Sequence, residues 1–584
     1  MTSGYAIVAV LVVALGTILV GTYGLRVSRT TSDFYVASRT VSPWWNASAI
    51  GGEYLSAASF VGIAGLIFAY GPDMLWFPVG YTAGYLVLLT MVAAPLRRSG
   101  AYTLPDFAEA RFRSRVVRAV ASILALAIGW LYLLPQLEGA GLTLNTVTGA
   151  PDWVGALIVT VVVTANVMSG GMRSITFVQA FQYWLKLTAI TVPIMFLIVV
   201  WQVHGAESLT KAEFPHFPQD TVVKFHKDTT IHVEQSIFID GSGRIDDTHI
   251  ENTGLMLTSG YHRIGLGSEF EFPQGAPVPH LSTMGHNTNE TWALPQSAGE
   301  KFPLYGAYSL IIATFLGTMG LPHVIVRFYT NPNGTAARRT TLIVLGLLSV
   351  FYLMPPIYGA LGRLYTPELL MTGQTDAVVL VLPTRMIDGI GGQLLGALVA
   401  GGAFAAFLST SSGLVVSLAG VLSQDVLRLG GVRGFRISTV LAGIVPLAMT
   451  FVSSGMPVAD MVGLAFAVAA SSLCPLLMLG IWSTRITTVG AIAGMLAGGV
   501  PALTAGLVTM FTDTGNSWYT VLLSRPAAWT VPLGFTVMYV VSLLTQRHVP
   551  PGVQRTMVKL HAPENLGLDG SGPSSSSSDE RPAP

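Results

Sequence analysis

The sequence predicts an all-α polytopic membrane protein of about thirteen transmembrane helices in a five-plus-five inverted repeat, with a β-rich extracellular insert. Three observations carry this. Apolar runs of about 20 residues, the length that crosses hydrocarbon, recur along most of the chain. Charged residues make up 10% of the 584 residues against 51% hydrophobic, with mean hydropathy +0.59, where a soluble globular chain carries about 25% charged residues. Finally, two runs at matching places in two sets of five are interrupted by glycines.

The runs lie at approximately 4–25, 45–70, 74–96, 119–146, 153–169, 175–201, 304–326, 341–362, 389–424, 437–452, 459–482, 486–510 and 526–545. Positive charge sets their orientation. Arg26, Arg29 and Arg39 follow the first run, Arg97, Arg98, Arg111, Arg113, Arg115 and Arg118 the third, Arg173 the fifth and Arg327, Arg338 and Arg339 the seventh. The opposite short loops hold only Arg363, Arg385 and Arg525. The N-terminus is expected outside and the C-terminus in the cytoplasm. The first run lacks a basic leader and a convincing cleavage site, so it reads as a retained helix rather than a signal peptide.

Residues 1–44 thus form an extra helix and cytoplasmic loop, 45–201 the first repeat and 304–482 the second, and 483–547 two further helices. The two repeats enter the membrane from opposite sides. Between them, 202–303 is polar, rich in turn residues and strand-like at Thr230–Asp240, with a Gly-Ser-Gly turn after it. It holds eight of the eleven histidines. None is spaced i,i+4 or as His-x-His, so they read as scattered surface residues rather than a metal site. Residues 548–584, ending in GSGPSSSSSDERPAP, lack the apolar content to fold and read as a disordered cytoplasmic tail. A net charge of +1 argues against nucleic acid as a partner. Cys474 is the single cysteine, which excludes an internal disulfide and a thiolate metal cluster.

The stretch Trp45–Tyr70 (WNASAIGGEYLSAASFVGIAGLIFAY) is long enough to span, but its middle is a poor helix. Gly51 and Gly52 weaken it, Glu53 brings a carboxylate to membrane depth, and Ser56 and Ser59 follow. A broken spanning helix offers carbonyls to a cation from its first half and N–H groups to an anion from its second. A kinked helix packed through small residues is the alternative. The seventh run is interrupted in the same way, at Gly317-Thr318-Met319-Gly320-Leu321-Pro322, and paired interruptions in opposed halves point to a transporter site at the repeat interface. The ninth run contains Ala405-Ala406-Phe407-Leu408-Ser409-Thr410-Ser411-Ser412-Gly413. Its hydroxyls either bond back to carbonyls four residues earlier or lend oxygens to a dehydrated cation.

These motifs resemble the sodium:solute symporter family and, within it, the acetate and monocarboxylate permease branch. The likeness covers roughly 30–545, without the insert or tail. It rests on TSDFYVASRTVSPWWNASAIGGEYLSAASFVGIAG at 31–65, YTLPDFAEARF at 102–112, SGGMRSITFVQAFQYWLK at 169–186, GTMGLPHVIVRFYT at 317–330, and Ser409-Thr410 followed by Ser423-Gln424-Asp425. The resemblance implies a LeuT-type core. It also implies a sodium site made of the carbonyls of Gly52, Leu55 and Ala406 and the hydroxyls of Ser409 and Thr410. Sugar and proline members often carry an acidic residue where this chain has Gln179.

For a monocarboxylate, Ser56, Ser59 and the N–H groups near them supply donors. Tyr54, Phe60 and the facing Gly317–Gly320 break suit a short acyl group. Glu53, Glu138 and Lys186 are the ionisable residues inside runs, forming a coupling network with Gln179 and with Gln136 near Glu138. Three readings of Lys186 stand: a structural ion pair with Glu53 or Glu138, attraction of the substrate carboxylate, or an amine near the cation site that couples transport to protons. Gln179 lies seven residues earlier on the same helix face. His323, after Pro322, either senses pH, or caps the broken helix or contacts headgroups.

The expected function is a secondary active symporter of the bacterial plasma membrane. It takes up acetate, propionate or pyruvate with Na+ by alternating access, and needs no cofactor beyond that ion. Proton coupling, Na+ symport of proline or pantothenate, and a transporter-like sensor are the alternatives. The short tail argues against a sensor, and no nucleophile–base pair at membrane depth suggests an enzyme.

Overall fold

The computed structural model describes residues 4–563 except 28–33, 35–36, 38–40, 207–208, 210–212, 247, 252, 283–287, 296–301, 430, 453–455 and 512–517. Among these, 11 helices are long and apolar enough to cross a membrane, 12 when a bent pair is taken as one span. The chain is a multi-pass membrane protein. The two spans read from the sequence at 153–169 and 175–201 fall in α4 (Asp152–Val203), which is counted once here although it is two helices joined across a kink. Straight, such a helix would be about 78 Å long at about 1.5 Å per residue, far beyond the hydrocarbon thickness. It bends at Gly171, whose φ of 55° and ψ of −147° are not helical. An added Cβ there would press on Phe34, so glycine is needed for conformation and space alike.

The bent pair comprises α2 (Pro43–Tyr54) and the helical turns Ala58–Tyr70 that end in α3 (Ile63–Tyr70), at 67° to one another. Its counterpart in the second half is α5 (Pro303–Gly320) followed by α6 (Pro322–Val326), interrupted at extended Leu321 (φ −76°, ψ 116°). Both interruptions lie deep in the protein, against α7 (Gly389–Val421). Every residue of the most apolar window of α7 is buried, whereas only 28% of that of α1 (Gly4–Val27) is, so α7 is the central strut and α1 a peripheral helix. Apolar side chains gain nothing by leaving lipid for one another, so close approach of small residues governs such packing. Gly402 of α7, for example, seats against Ala189 of α4 and the ring of Phe60.

The segment between the halves folds into an eight-stranded antiparallel sheet. Its strands are β1 (Thr221–Lys224), β2 (Thr229–Val233), β3 (Ile237–Ile245), β4 (Thr248–Ile250), β5 (Leu255–Leu257), β6 (Gly260–Ile264), β7 (Glu269–Phe272) and β8 (His280–Leu281). The main order is β1-β7-β3-β6-β2-β8, with β4 and β5 pairing β3. Alternation drives it: Ile231 and Val233 of β2, Ile237 and Ile239 of β3 and Phe270 and Phe272 of β7 point into one core. The Gly-Ser-Gly read as a turn instead continues β3. Gly241 and Gly243 (φ 149° and 146°) let that strand pass against Phe270 and Ser268, where any Cβ would collide.

The sheet is tied to the membrane helices. Met371 joins its core. Trp292, on the short helix that follows the sheet, donates from Nε1 to the carbonyls of Ile67 (2.8 Å) and Phe68 (3.1 Å), capping the end of α3. Part of the expected disordered tail is ordered: Val553–His561 is a helix, held where Arg98 Nη1 donates to the His561 carbonyl at 3.1 Å. Residues 564–584 lie outside the described residues.

Candidate functional site

The break in the first half is made by Leu55 (φ −72°, ψ 78°), which directs carbonyls of the end of α2 sideways instead of along a helix. Those carbonyls need partners, because unsatisfied backbone at membrane depth costs several kcal/mol. Lys186 of α4 provides them. Its Nζ donates to the carbonyls of Gly52 and Leu55 (2.8 Å to the latter) and to Ser409 Oγ at 2.7 Å. An ammonium has three N–H donors, and these three acceptors use all of them. Ser409 Oγ in turn donates to the Gly52 carbonyl at 2.6 Å or to that of Ala406 at 3.1 Å. Thr410 Oγ1 donates to the Glu53 carbonyl at 2.5 Å. The five residues expected around sodium are therefore together, and the ε-amino group of Lys186 lies among their oxygens.

The structural ion pair expected for Lys186 is not formed. Glu53 Oε2 instead accepts from Arg327 Nε at 2.6 Å, with side chains only 2% and 1% exposed. Arg327 also donates to Thr176 Oγ1 at 2.9 Å and to Gln179 Oε1. Gln179 Nε2 reaches the Ser409 carbonyl at 2.6 Å, so one amide joins the arginine to the hydroxyl helix. Counting Arg327 with the positive loops is thereby corrected: it is a buried hub six residues beyond the second break. Its place one turn after Gly-Leu-Pro-His was the available signal. Glu138 lines a cavity of about 540 Å³ with Asp152, Asp376 and His226 of the insert.

The second half of the broken helix starts against polar groups. Ser56 N–H bonds the Tyr54 carbonyl at 2.8 Å, and Ala57 N–H bonds Gln136 Oε1 at 2.9 Å. Two of the donors expected to face an anion are thus occupied, and Gln136 acts at the break rather than beside Glu138. The Ser56 hydroxyl meets Tyr132, Ser59 Oγ lies 2.9 Å from the Tyr352 hydroxyl, and Tyr54 hydroxyl lies 2.8 Å from Thr318 Oγ1. Tyr81 and Tyr85 stack edge-on against Tyr54, at centroid distances of 5.8 and 4.8 Å. Both of their hydroxyls are buried without a hydrogen-bond partner. Sequence reasoning missed these two, since a tyrosine in an apolar run is no signal in itself.

Gly317 and Gly320 do not line this chamber. Added Cβ atoms there would meet the carbonyls of Phe466 (2.5 Å for Gly317) and Ala469, so these glycines let α5 pack against the helix Val458–Ser471. Phe60 faces away from the tyrosines, toward Phe351 at 6.1 Å and Gly402. His323 contacts no headgroup: it is buried with neither ring nitrogen bonded, its ring 4.9 Å from that of Tyr132. The arrangement holds charges and donors for small ions.

Comparison with known proteins agrees with this reading. The sequence model described as the sodium:solute symporter family matches residues 34–239 and 282–498, omitting most of the sheet. A Bacillus subtilis protein named uncharacterized symporter YwcA is 29% identical over 537 residues, covering 89% of this chain and 90% of its own. A Corynebacterium glutamicum protein named monocarboxylic acid transporter is 28% identical over 571 residues, covering 93% and 92%. Among solved structures, the outward-open state of a Na+-coupled sialic acid symporter superposes with a TM-score of 0.59 at 14% identity, covering 92% of this chain and 98% of its own. At that identity the likeness is one of fold.

Proposed function

The chain belongs to the sodium:solute symporter family, a transporter and not an enzyme, and we propose that it takes up short monocarboxylates such as acetate, propionate or pyruvate together with a proton. The observation that carries the proton is the placement of the Lys186 amino group on Gly52, Leu55 and Ser409, where it would take up and release the coupled proton. A protonated lysine and a sodium ion cannot share those oxygens, so a covalently attached cation stands where the family would hold a mobile one. Losing its proton would free the two carbonyls of the break and unsettle the joint between α2 and α7. A ligand or proton shifts a conformational equilibrium only through such differential interaction.

Charge supports the substrate class. Lys186 and Arg327 against Glu53 leave the buried cluster with one excess positive charge, which an anion of single charge neutralises. The unpartnered hydroxyls of Tyr81 and Tyr85 are donors for its carboxylate. The name carried by the Corynebacterium relative points to the same class. One proton moved with one carboxylate carries no net charge, so the membrane potential, worth about 2.3 kcal/mol per charge per 100 mV, would not drive this uptake. The setting is the bacterial plasma membrane, with the N-terminus and the sheet outside.

Sodium coupling is the second reading, favoured by the family and by the gathering of Ala406, Ser409 and Thr410 around the break. Labelled pyruvate uptake into proteoliposomes separates the two; pyruvic acid is a stronger acid than acetic acid, so less of it crosses lipid unaided. An outside-acid pH gradient is expected to drive accumulation in sodium-free buffer. Accumulation driven by a sodium gradient alone, at equal pH, would overturn proton coupling, and no accumulation under either gradient would overturn symport.

A further inference from the structure

We propose that the inserted sheet carries a zinc site formed by His232, Glu234 and His280. The sequence spacing gives no hint of it, because the site is made by strand register. His232 in β2 and His280 in β8 are direct antiparallel partners, and directly opposed side chains on one sheet face have Cβ atoms about 4.5–5.5 Å apart. Glu234 lies in the bend just past the end of β2, and its carboxylate turns back onto the His232 ring. One ligand atom from each of the three lies within 4.8 Å of the others.

The side chains are already oriented toward one another. His232 Nδ1 lies 2.9 Å from Glu234 Oε1, and the two imidazole rings are 5.4 Å apart. Tyr261, opposite His232 on β6, sets its ring edge-on at 4.6 Å and restricts its rotation. Two imidazoles and a carboxylate are a common zinc ligand set, with a water in the fourth position. Tetrahedral bonds of about 2.1 Å put ligand atoms roughly 3.4 Å apart, so modest side-chain rotation closes the site. The site remains reachable, since the His232 and Glu234 side chains are 21% and 20% exposed. On binding, zinc would replace the hydrogen bond between His232 and Glu234, each neutral imidazole keeping its proton on the nitrogen that does not ligate the metal.

Zinc here would fasten β8, a two-residue edge strand, to the body of the sheet. That strand abuts the loop entering the membrane helices: the side chain of Leu281 lies against Gly373, in the turn after Leu369–Thr372. The site therefore joins the insert's edge to a loop of the second half, well apart from Lys186.

The test uses untagged full-length protein in detergent, stripped with a chelator and dialysed against Zn2+, with bound metal counted by mass spectrometry. One zinc per chain is expected, falling at least tenfold in the H232N/H280N double variant. Because that variant could lose the sheet fold, Co2+ is titrated into the wild-type protein as well. A saturable visible absorption band of tetrahedral intensity, displaced by Zn2+, is expected. Absence of stoichiometric zinc and of that band in the wild type would overturn the proposal, as would a folded double variant that keeps its zinc.

Discussion

Arg327 Nε donates to Glu53 Oε2 across 2.6 Å, an ion pair that ties together the two interrupted helices, Glu53 lying two residues before the first break and Arg327 six after the second. Both charges are out of water, so each depends on the other. Removing one partner of a buried pair costs about 3–5 kcal/mol, whereas replacing both with apolar side chains is often neutral. R327M is therefore expected to lower the thermal unfolding midpoint sharply and E53M/R327M to regain most of the loss. A double variant no more stable than R327M would show that the pair does not hold the helices.

Gly413 of α7 faces the same carboxylate. A Cβ at 413 would overlap Cδ and Oε1 of Glu53. Overpacking of this kind costs about 1–3 kcal/mol, and here it would also push Glu53 off Arg327. G413A should reduce thermal stability and uptake together. Shortening the acid by one methylene, in G413A/E53D, should restore part of both, and a G413A protein indistinguishable from wild type would exclude the crowding.

Much of this site is legible along the chain, and what is not has a physical cause. Gly51-Gly52-Glu53 marks the first break because glycine pairs and a carboxylate are costly at membrane depth. Ser409-Thr410 is visible as hydroxyls in an apolar run. Lys186 attracts notice for its charge, but its partner depends on how α4 rotates against α2, and periodicity does not fix that rotation. Arg327 is hidden because an arginine after an apolar run looks like a loop charge, and only the interruption at Leu321 turns it inward. Gly317 and Gly320 mislead in the other direction: glycine near a break reads as a binding surface when it serves close packing against Phe466 and Ala469. The pairing of His232 with His280 depends on antiparallel register, which no local spacing encodes.

The unpartnered hydroxyls of Tyr81 and Tyr85 give a prediction that separates binding from folding. A buried polar group without a partner costs about 1–3 kcal/mol, so deleting it should not destabilise the protein. If these hydroxyls serve a carboxylate, each contributes a hydrogen bond to a charged group, worth about 1.5–3 kcal/mol. Y85F is then expected to keep or raise the unfolding midpoint while KM for pyruvate rises about 10- to 100-fold. An unchanged KM would remove Tyr85 from the substrate site.

Lys186 is the residue on which proton and sodium coupling part. All three of its acceptors come from the cation site, so truncation changes the site's charge and its room at once. K186M removes the proton carrier but keeps much of the volume. It should abolish accumulation driven by a pH gradient while leaving exchange of labelled for unlabelled pyruvate at equilibrium, since exchange needs no net proton movement. K186A goes further and leaves the carbonyls of Gly52 and Leu55 and the hydroxyl of Ser409 without the ammonium. Hard cations bind through oxygens of this kind, so sodium should enter where the ammonium was and stimulate uptake in K186A but not in the wild type. The measurement is initial uptake rate against sodium concentration at fixed pH for both proteins. Sodium dependence in the wild type, unchanged in K186A, would mean that lysine and sodium occupy different places. A K186M protein that still concentrates pyruvate against a pH gradient would mean that the proton travels by another group, and Glu53, with one carboxylate oxygen unpartnered, would be the next to replace.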